Sequence, residues 1–157
     1  MPLRAPFPYF GGKSRIGELV WSRLGDPDTY IEPFAGSLAV LLWRDSPCSV
    51  EVVNDMDCML INFWRAVRAE PEAVAEHADW PVFENDLHAR NAWVVGCKSS
   101  FRELVQSSLD FYNVKLAGWW VWGMSITIGP SFGVANGSWQ QVDGRLTQVG
   151  GGGVHRR

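Results

Sequence analysis

Apolar residues in the first 70 positions follow strand spacing and helical spacing in turn. Two short apolar runs, 29–33 and 50–53, have the composition of strands, and the segment 37–44 between them has the pattern of a helix. Ser14 is a possible N-cap for a helix that precedes the first strand. The apolar face of that helix comprises Ile16, Leu19, Val20 and Leu24. A further helix after the second strand has an apolar face of Leu60, Phe63, Trp64 and Val67. This order predicts an α/β fold with an open, mostly parallel sheet.

The pattern becomes helical after position 71, and the segment 72–125 contains no convincing strand. Pro81, Gly96 and the pair Ser99-Ser100 are expected to interrupt it. Near the end of this segment, one helical turn carries three tryptophans, Trp119, Trp120 and Trp122. We expect them to pack in the core rather than to stack on DNA bases. The middle of the chain is therefore predicted to be a helical subdomain.

Two reverse-turn dipeptides, Asn136-Gly137 and Asp143-Gly144, follow the helical part. The segments 138–142 and 145–149 flank the second dipeptide and are expected to pair as strands. The sequence thus predicts a β-hairpin near the end of the chain.

The spacing between Gly36 and Asp55 is the first sign of a function. Asp55 follows Gly36 by 19 positions and ends the second predicted strand. An acid about 20 residues after a glycine turn is where α/β nucleotide folds hold a ribose, and a helix starting at Ser37 would offer free N–H groups. A strand–turn–helix with an incidental acid is the alternative. The turn has a single glycine and cannot cradle a diphosphate, which favours S-adenosylmethionine as the ligand.

Three sequence elements resemble the Dam-type N6-adenine DNA methyltransferases, and most closely their phage and prophage members. The three elements are Pro8-Tyr9-Phe10-Gly11-Gly12-Lys13, Glu32-Pro33-Phe34-Ala35-Gly36-Ser37 and Asn54-Asp55-Met56-Asp57. The third element continues in a helical stretch, Leu60-Ile61-Asn62-Phe63-Trp64, that is also similar to the family. They occur in the family's order. The resemblance implies a Rossmann-like S-adenosylmethionine domain with a partial sheet and a helical target-recognition insert.

The resemblance also implies a set of cofactor residues. Tyr9 would pack on the cofactor, Lys13 would lie at its methionine end, and Asp55 would hold the ribose hydroxyls. The implied set is Tyr9, Gly11, Lys13, Pro33, Phe34, Gly36 and Asp55. Structural alternatives are that Tyr9 and Phe34 are core aromatics, that Lys13 is a solvated turn lysine and that Asp55 is a helix cap. Asp57 is the preferred cap residue.

The family's catalytic Asp-Pro-Pro-Tyr motif does not occur in the 157 residues. The dipeptide Asp26-Pro27 precedes the first strand and is interpreted as a turn. No residue of this chain is therefore predicted to be catalytic. Because the family carries the motif after its recognition segment, the chain is expected to be truncated before it.

The segment 132–146 resembles the family's recognition hairpin, which would contact double-stranded DNA around the target adenine. Side chains of Asn and Gln can bind adenine, and Arg can bind guanine, through paired hydrogen bonds. The candidate DNA contacts are Asn136, Trp139, Gln140, Gln141 and Arg145. A solvated hairpin without contacts is the alternative.

Composition adds little to this interpretation. The net charge of −3 gives no support for DNA binding through bulk electrostatics. The 3 cysteines lack metal or disulfide spacing, which predicts reduced thiols in the cytoplasm and no metal site. The uncharged stretch 116–129 is shorter than the roughly 20 residues of a membrane span.

The predicted organisation is a cofactor-binding part over 1–70, a recognition insert with its hairpin over 71–149 and a Gly-rich basic tail over 150–157. The predicted function is transfer of a methyl group from S-adenosylmethionine to adenine N6 in DNA. Two other classes stay open: a non-catalytic module that binds S-adenosylmethionine or DNA, and an NAD-dependent oxidoreductase, against which the single-glycine turn argues.

Overall fold

The computed structural model describes residues 2–127 and 132–134 in full, and 139–142 and 145–148 as backbone strands. Five helices precede the second pair of strands along the described chain. In chain order the elements are α1 (Gly17–Leu24), β1 (Thr29–Glu32), a short 3₁₀ turn (Leu41–Trp43), β2 (Val50–Val53), α2 (Cys58–Ala69), α3 (Pro71–Ala78), α4 (Glu84–Ser107), α5 (Val114–Ile126), β3 (Trp139–Val142) and β4 (Arg145–Gln148).

The predicted strands are confirmed. β1 and β2 pair in parallel, with Ile31 opposite Val52 and Glu32 opposite Val53. One face of this small sheet is apolar and open to solvent, because Ile31 is 63% exposed and Val52 is 47% exposed. Parallel sheets in proteins normally have both faces covered. The exposed apolar face is therefore an unusual feature of this fold.

The predicted helix over 37–44 is wrong. Gly36 and Leu38 both have left-handed backbones, with φ of 54° and 56°. Leu38 lies inside the predicted segment, and its left-handed backbone does not fit a right-handed helix. The Leu38 N–H instead donates to the Ala35 carbonyl in a turn, and only Leu41–Trp43 winds into a 3₁₀ turn. Consequently no helix N-terminus lies at Ser37.

The first helix also differs from its prediction. α1 begins at Gly17 after Ile16, and no side chain caps it, so Ser14 is not the N-cap. Leu19, which belongs to the predicted apolar face of this helix, is 56% exposed. The inward contact comes from Trp21, whose indole N–H donates to the Val40 carbonyl over 2.6 Å and whose ring lies 4.8 Å from that of Tyr30.

The helical part of the chain holds the main core. α3 and α5 pack on each other and on α2, around buried side chains that include Leu60, Phe63, Leu116 and Trp120. Trp120 and Trp122 are buried and Trp119 is half-buried, which confirms core packing. The expected interruptions at Gly96 and Ser99-Ser100 are wrong, because α4 runs through them as one helix.

Asp57 caps α2, as predicted. Its side chain accepts a hydrogen bond from the Met59 N–H over 2.9 Å. This bond satisfies one of the free donors at the helix start. Asp55, two residues earlier, is therefore not the helix cap, and its carboxylate contacts the Gly36 turn instead.

Candidate functional site

A cavity of about 170 Å³ lies where the N-terminal turn, the Gly36 turn and the end of β2 meet. Every predicted cofactor residue except Pro33 lines it, namely Tyr9, Gly11, Lys13, Phe34, Gly36 and Asp55. Pro33 does not line the cavity, and its carbonyl accepts a hydrogen bond from the Asn54 side-chain amide over 3.2 Å. Three segments separated along the sequence thus meet at one place.

The Asp55 carboxylate joins two backbone segments at this cavity. Its Oδ2 accepts from the Gly36 N–H over 2.9 Å, and its Oδ1 accepts from the Asp57 N–H over 3.0 Å. The side chain is half-buried. An ionised carboxylate offers about four acceptor positions, so these two bonds leave room for two hydroxyl donors.

Tyr9 packs against Gly36 and explains why that position needs glycine. A Cβ at Gly36 would lie 3.1 Å from ring carbon Cδ1 of Tyr9, and the positive φ would strain any L side chain. Burial raises the pKa of Tyr9 above its ordinary value, and the charges of Asp57 and Asp55 raise it further. The phenol is therefore a neutral hydrogen-bonding group at physiological pH.

Lys13 is tied to the end of β1. Its ammonium lies 3.2 Å from the Glu32 carboxylate and donates to the Phe34 carbonyl. Glu32 is buried and also accepts from the Tyr30 hydroxyl over 2.8 Å. Lys13 is thus an ion-paired lysine and not a free cation in the cavity.

Glu32 is a site residue that the sequence reasoning missed. It supports Lys13 from inside the fold, although it is not among the residues that line the cavity. The available signal was its position in β1, where it shares the inward face with the buried Tyr30. A charged residue on the buried face of a strand is rare unless it has a partner.

Two larger cavities adjoin the small one. A groove of about 760 Å³ shares Gly36 and Asp55 with it and extends between α2 and α4, past Trp64. A second cavity of about 620 Å³ shares Tyr9 and Gly12 with it and extends towards Arg4. The site as a whole therefore has room beyond its narrow centre.

The candidate DNA contacts lie elsewhere, on the hairpin. β3 and β4 pair antiparallel, with Val142 opposite Arg145, so the predicted hairpin strands are confirmed. Trp139, Gln140 and Gln141 are in β3, and Arg145 begins β4. Asn136 and both turn dipeptides lie outside the described residues.

Residues 9–93, more than half of the chain, match the family model of the D12 class N6 adenine-specific DNA methyltransferases. The chain belongs to this methyltransferase family. The match covers all three elements that form the cavity and extends into α4. The hairpin of this D12-class chain lies outside the matched residues. No curated protein and no solved structure matches the chain significantly.

Methyltransferases of this kind act on adenine in DNA, and methyltransferases generally take their methyl group from S-adenosylmethionine. In the described part of the D12-class chain, no cluster of side chains could hold a metal ion. Among the same residues, no helix combines the length and apolar character that crossing a membrane requires.

Proposed function

We propose that this chain is the cofactor-binding and DNA-reading part of a Dam-type methyltransferase that transfers a methyl group from S-adenosylmethionine to adenine N6. Residues 1–70 would form its Rossmann-like cofactor part, and 71–149 its recognition insert. The observation that carries the proposal is the bond from the Gly36 N–H to Asp55, inside a cavity that Tyr9 and Lys13 also line.

The residues present fit S-adenosylmethionine. The central cavity of about 170 Å³ is below the roughly 300 Å³ of typical small-molecule sites, but the adjoining groove of about 760 Å³ exceeds it. A nucleoside held at Asp55 could place its ribose in the cavity and its base in the groove. The apolar wall of that groove, which includes Ile61 and Trp64, suits a purine ring.

When bound, S-adenosylmethionine supplies an activated methyl group on a sulfonium centre. The chain's own part in the reaction is to hold and orient the two reactants. Asp55 would accept the ribose hydroxyls, and its bonds to Gly36 and Asp57 fix the direction of its lone pairs. The Lys13–Glu32 pair would keep the N-terminal turn closed over the cofactor.

The hairpin is the proposed DNA reader, through Trp139, Gln140, Gln141 and Arg145 of its strands and Asn136 before them. The Asn, Gln and Arg side chains of this set suit hydrogen bonding to the edges of adenine and guanine in the major groove. The target adenine would leave the duplex before reaction, at a cost of about a few kcal/mol.

The groups that would grip the adenine amine are not among the 157 residues, because Asp-Pro-Pro-Tyr is absent. We propose that methyl transfer requires this motif to be supplied to the site. The same absence favours a second candidate function, a non-catalytic module that binds cofactor or DNA without methylating it. Activity after addition of the motif distinguishes the two.

Replacement of Asp55 by alanine should weaken S-adenosylmethionine binding by about 1–3 kcal/mol, roughly 5- to 150-fold, because ribose hydroxyls lose their charged acceptor. Isothermal titration calorimetry measures the change. Asp57→Asn is the matched control, because it removes one negative charge nearby and keeps a good helix cap. It should bind the cofactor almost as wild type does. Equal affinity of Asp55→Ala and wild type would exclude the ribose role.

A further inference from the structure

The segment just before the hairpin is seated in a notch on α5. Phe132 is only 4% exposed, and its ring lies 6.4 Å from that of Trp122 in an edge-on arrangement. The notch exists because position 123 is glycine. A Cβ on Gly123 would lie 2.3–2.4 Å from three carbons of the Phe132 ring, closer than real contacts allow. The aromatic ring therefore occupies the space that a side chain on α5 would need.

A second contact fixes the next residue to α4. The Gly133 N–H donates to the side-chain carbonyl oxygen of Asn91 over 2.6 Å. Gly133 has a φ of 72°, a backbone conformation that favours glycine. Phe132 is thus held on α5 by close packing, and Gly133 is held on α4 by a hydrogen bond.

The hairpin follows this seat closely along the sequence. Five peptide steps lead from Val134 to Trp139, which limits their separation to about 18 Å. Among the described residues, neither β3 nor β4 packs extensively on a helix. The seat is therefore the described attachment nearest to the hairpin along the chain.

We propose that Gly123, Phe132 and Asn91 form an anchor that positions the β3–β4 hairpin on the helical insert and so sets its orientation for reading DNA. The statement about DNA rests on the proposed function, whereas the statement about the anchor does not. Base reading tolerates little misplacement, since paired hydrogen bonds to a base edge depend on geometry. These residues would act through the hairpin, as positioning residues.

The first test measures the anchor without DNA. Spin labels are attached to Glu103→Cys on α4 and Thr147→Cys on β4, in a chain whose Cys48, Cys58 and Cys97 are replaced by alanine. The unaltered anchor should give a narrow distance distribution, and Gly123→Ala should broaden or shift it. Gly96→Ala is the matched control, because it makes the same change in α4 where a Cβ meets nothing within 4 Å. An unchanged distribution in Gly123→Ala, or equal broadening in the control, would overturn the anchor.

The second test uses the native-cysteine chain and a library of randomised DNA duplexes, sequenced after selection. Gly123→Ala should reduce the enrichment of preferred sequences about tenfold, the value of roughly one base-reading contact, with cofactor affinity unchanged. Replacing Phe132 by leucine in the same variant should restore part of the enrichment, because the smaller side chain fits beside the added methyl group.

The outcomes separate the anchor from the proposed function. If the anchor controls the spin-label distance but wild type selects no DNA sequence, the DNA-reading function fails and the anchor stands. If wild type selects sequences and Gly123→Ala selects them equally well, the positioning inference is wrong although the function stands.

Discussion

Purified chain incubated with tritiated S-adenosylmethionine and adenine-containing duplex DNA is expected to form no labelled N6-methyladenine. The expected loss is large, because positioning of the reacting groups is worth about 7–11 kcal/mol in favourable cases. Asp55 is the proposed acceptor for the cofactor ribose, but the 157 residues contain no Asp-Pro-Pro-Tyr to hold the amine.

Addition of a polypeptide segment that carries Asp-Pro-Pro-Tyr, as a fusion or as a second chain, should restore labelling. Asp55→Ala in the restored enzyme is the control, and it should lower the rate at limiting cofactor concentration. Strong labelling by the unaltered chain alone would contradict the account and require another amine-binding group among its own residues.

The substitution Phe63→Ala should destabilise the chain by about 3–5 kcal/mol, the range for removing a buried aromatic side chain. Phe63 is 4% exposed, and its ring lies 5.0 Å from that of Phe7 and 6.0 Å from that of Trp120. Phe7 in turn contacts Tyr9 at 6.1 Å between ring centroids. The aromatic cluster therefore supports the wall of the candidate cofactor site as well as the core.

Urea denaturation followed by circular dichroism measures this loss. Phe83→Ala is the matched control, because Phe83 is 58% exposed and should lose no more than about 0.5 kcal/mol. Equal stability of the two variants would mean that Phe63 does not hold the N-terminal segment on the core. At temperatures where the Phe63→Ala variant is still folded, it should also bind the cofactor more weakly, since Tyr9 loses its support.

Local patterns in the sequence were sufficient for much of the framework. β2 was predicted at its observed bounds, since a short β-branched run followed by Asn and Asp leaves few alternatives. The cap at Asp57 followed from side-chain chemistry alone. The pairing of Gly36 with Asp55 follows from their spacing, whereas the addition of Tyr9 and Lys13 to the same site follows from the family resemblance, because no local pattern relates them to it.

The errors came from features that depend on backbone conformation or distant contacts. The segment 37–44 has helical spacing, but the left-handed conformation of Leu38 has no sequence signal, since leucine rarely adopts it. The sequence predicts an interruption at Gly96, yet one glycine costs a helix only about 1 kcal/mol, and α4 continues through it. Burial of Glu32 beside Lys13, and the seat of Phe132 on Gly123, arise only in the folded chain.

The central claim is that the Gly36–Asp55 cavity binds S-adenosylmethionine, and nuclear magnetic resonance tests it most directly. The ¹⁵N-labelled chain is titrated with S-adenosylmethionine and, separately, with NAD. The account predicts saturable shifts for the Gly36 and Asp57 amides, which donate to Asp55, with little change in α3 and none of these shifts with NAD. Saturable shifts confined to the helical part, or the same shifts with NAD, would contradict it.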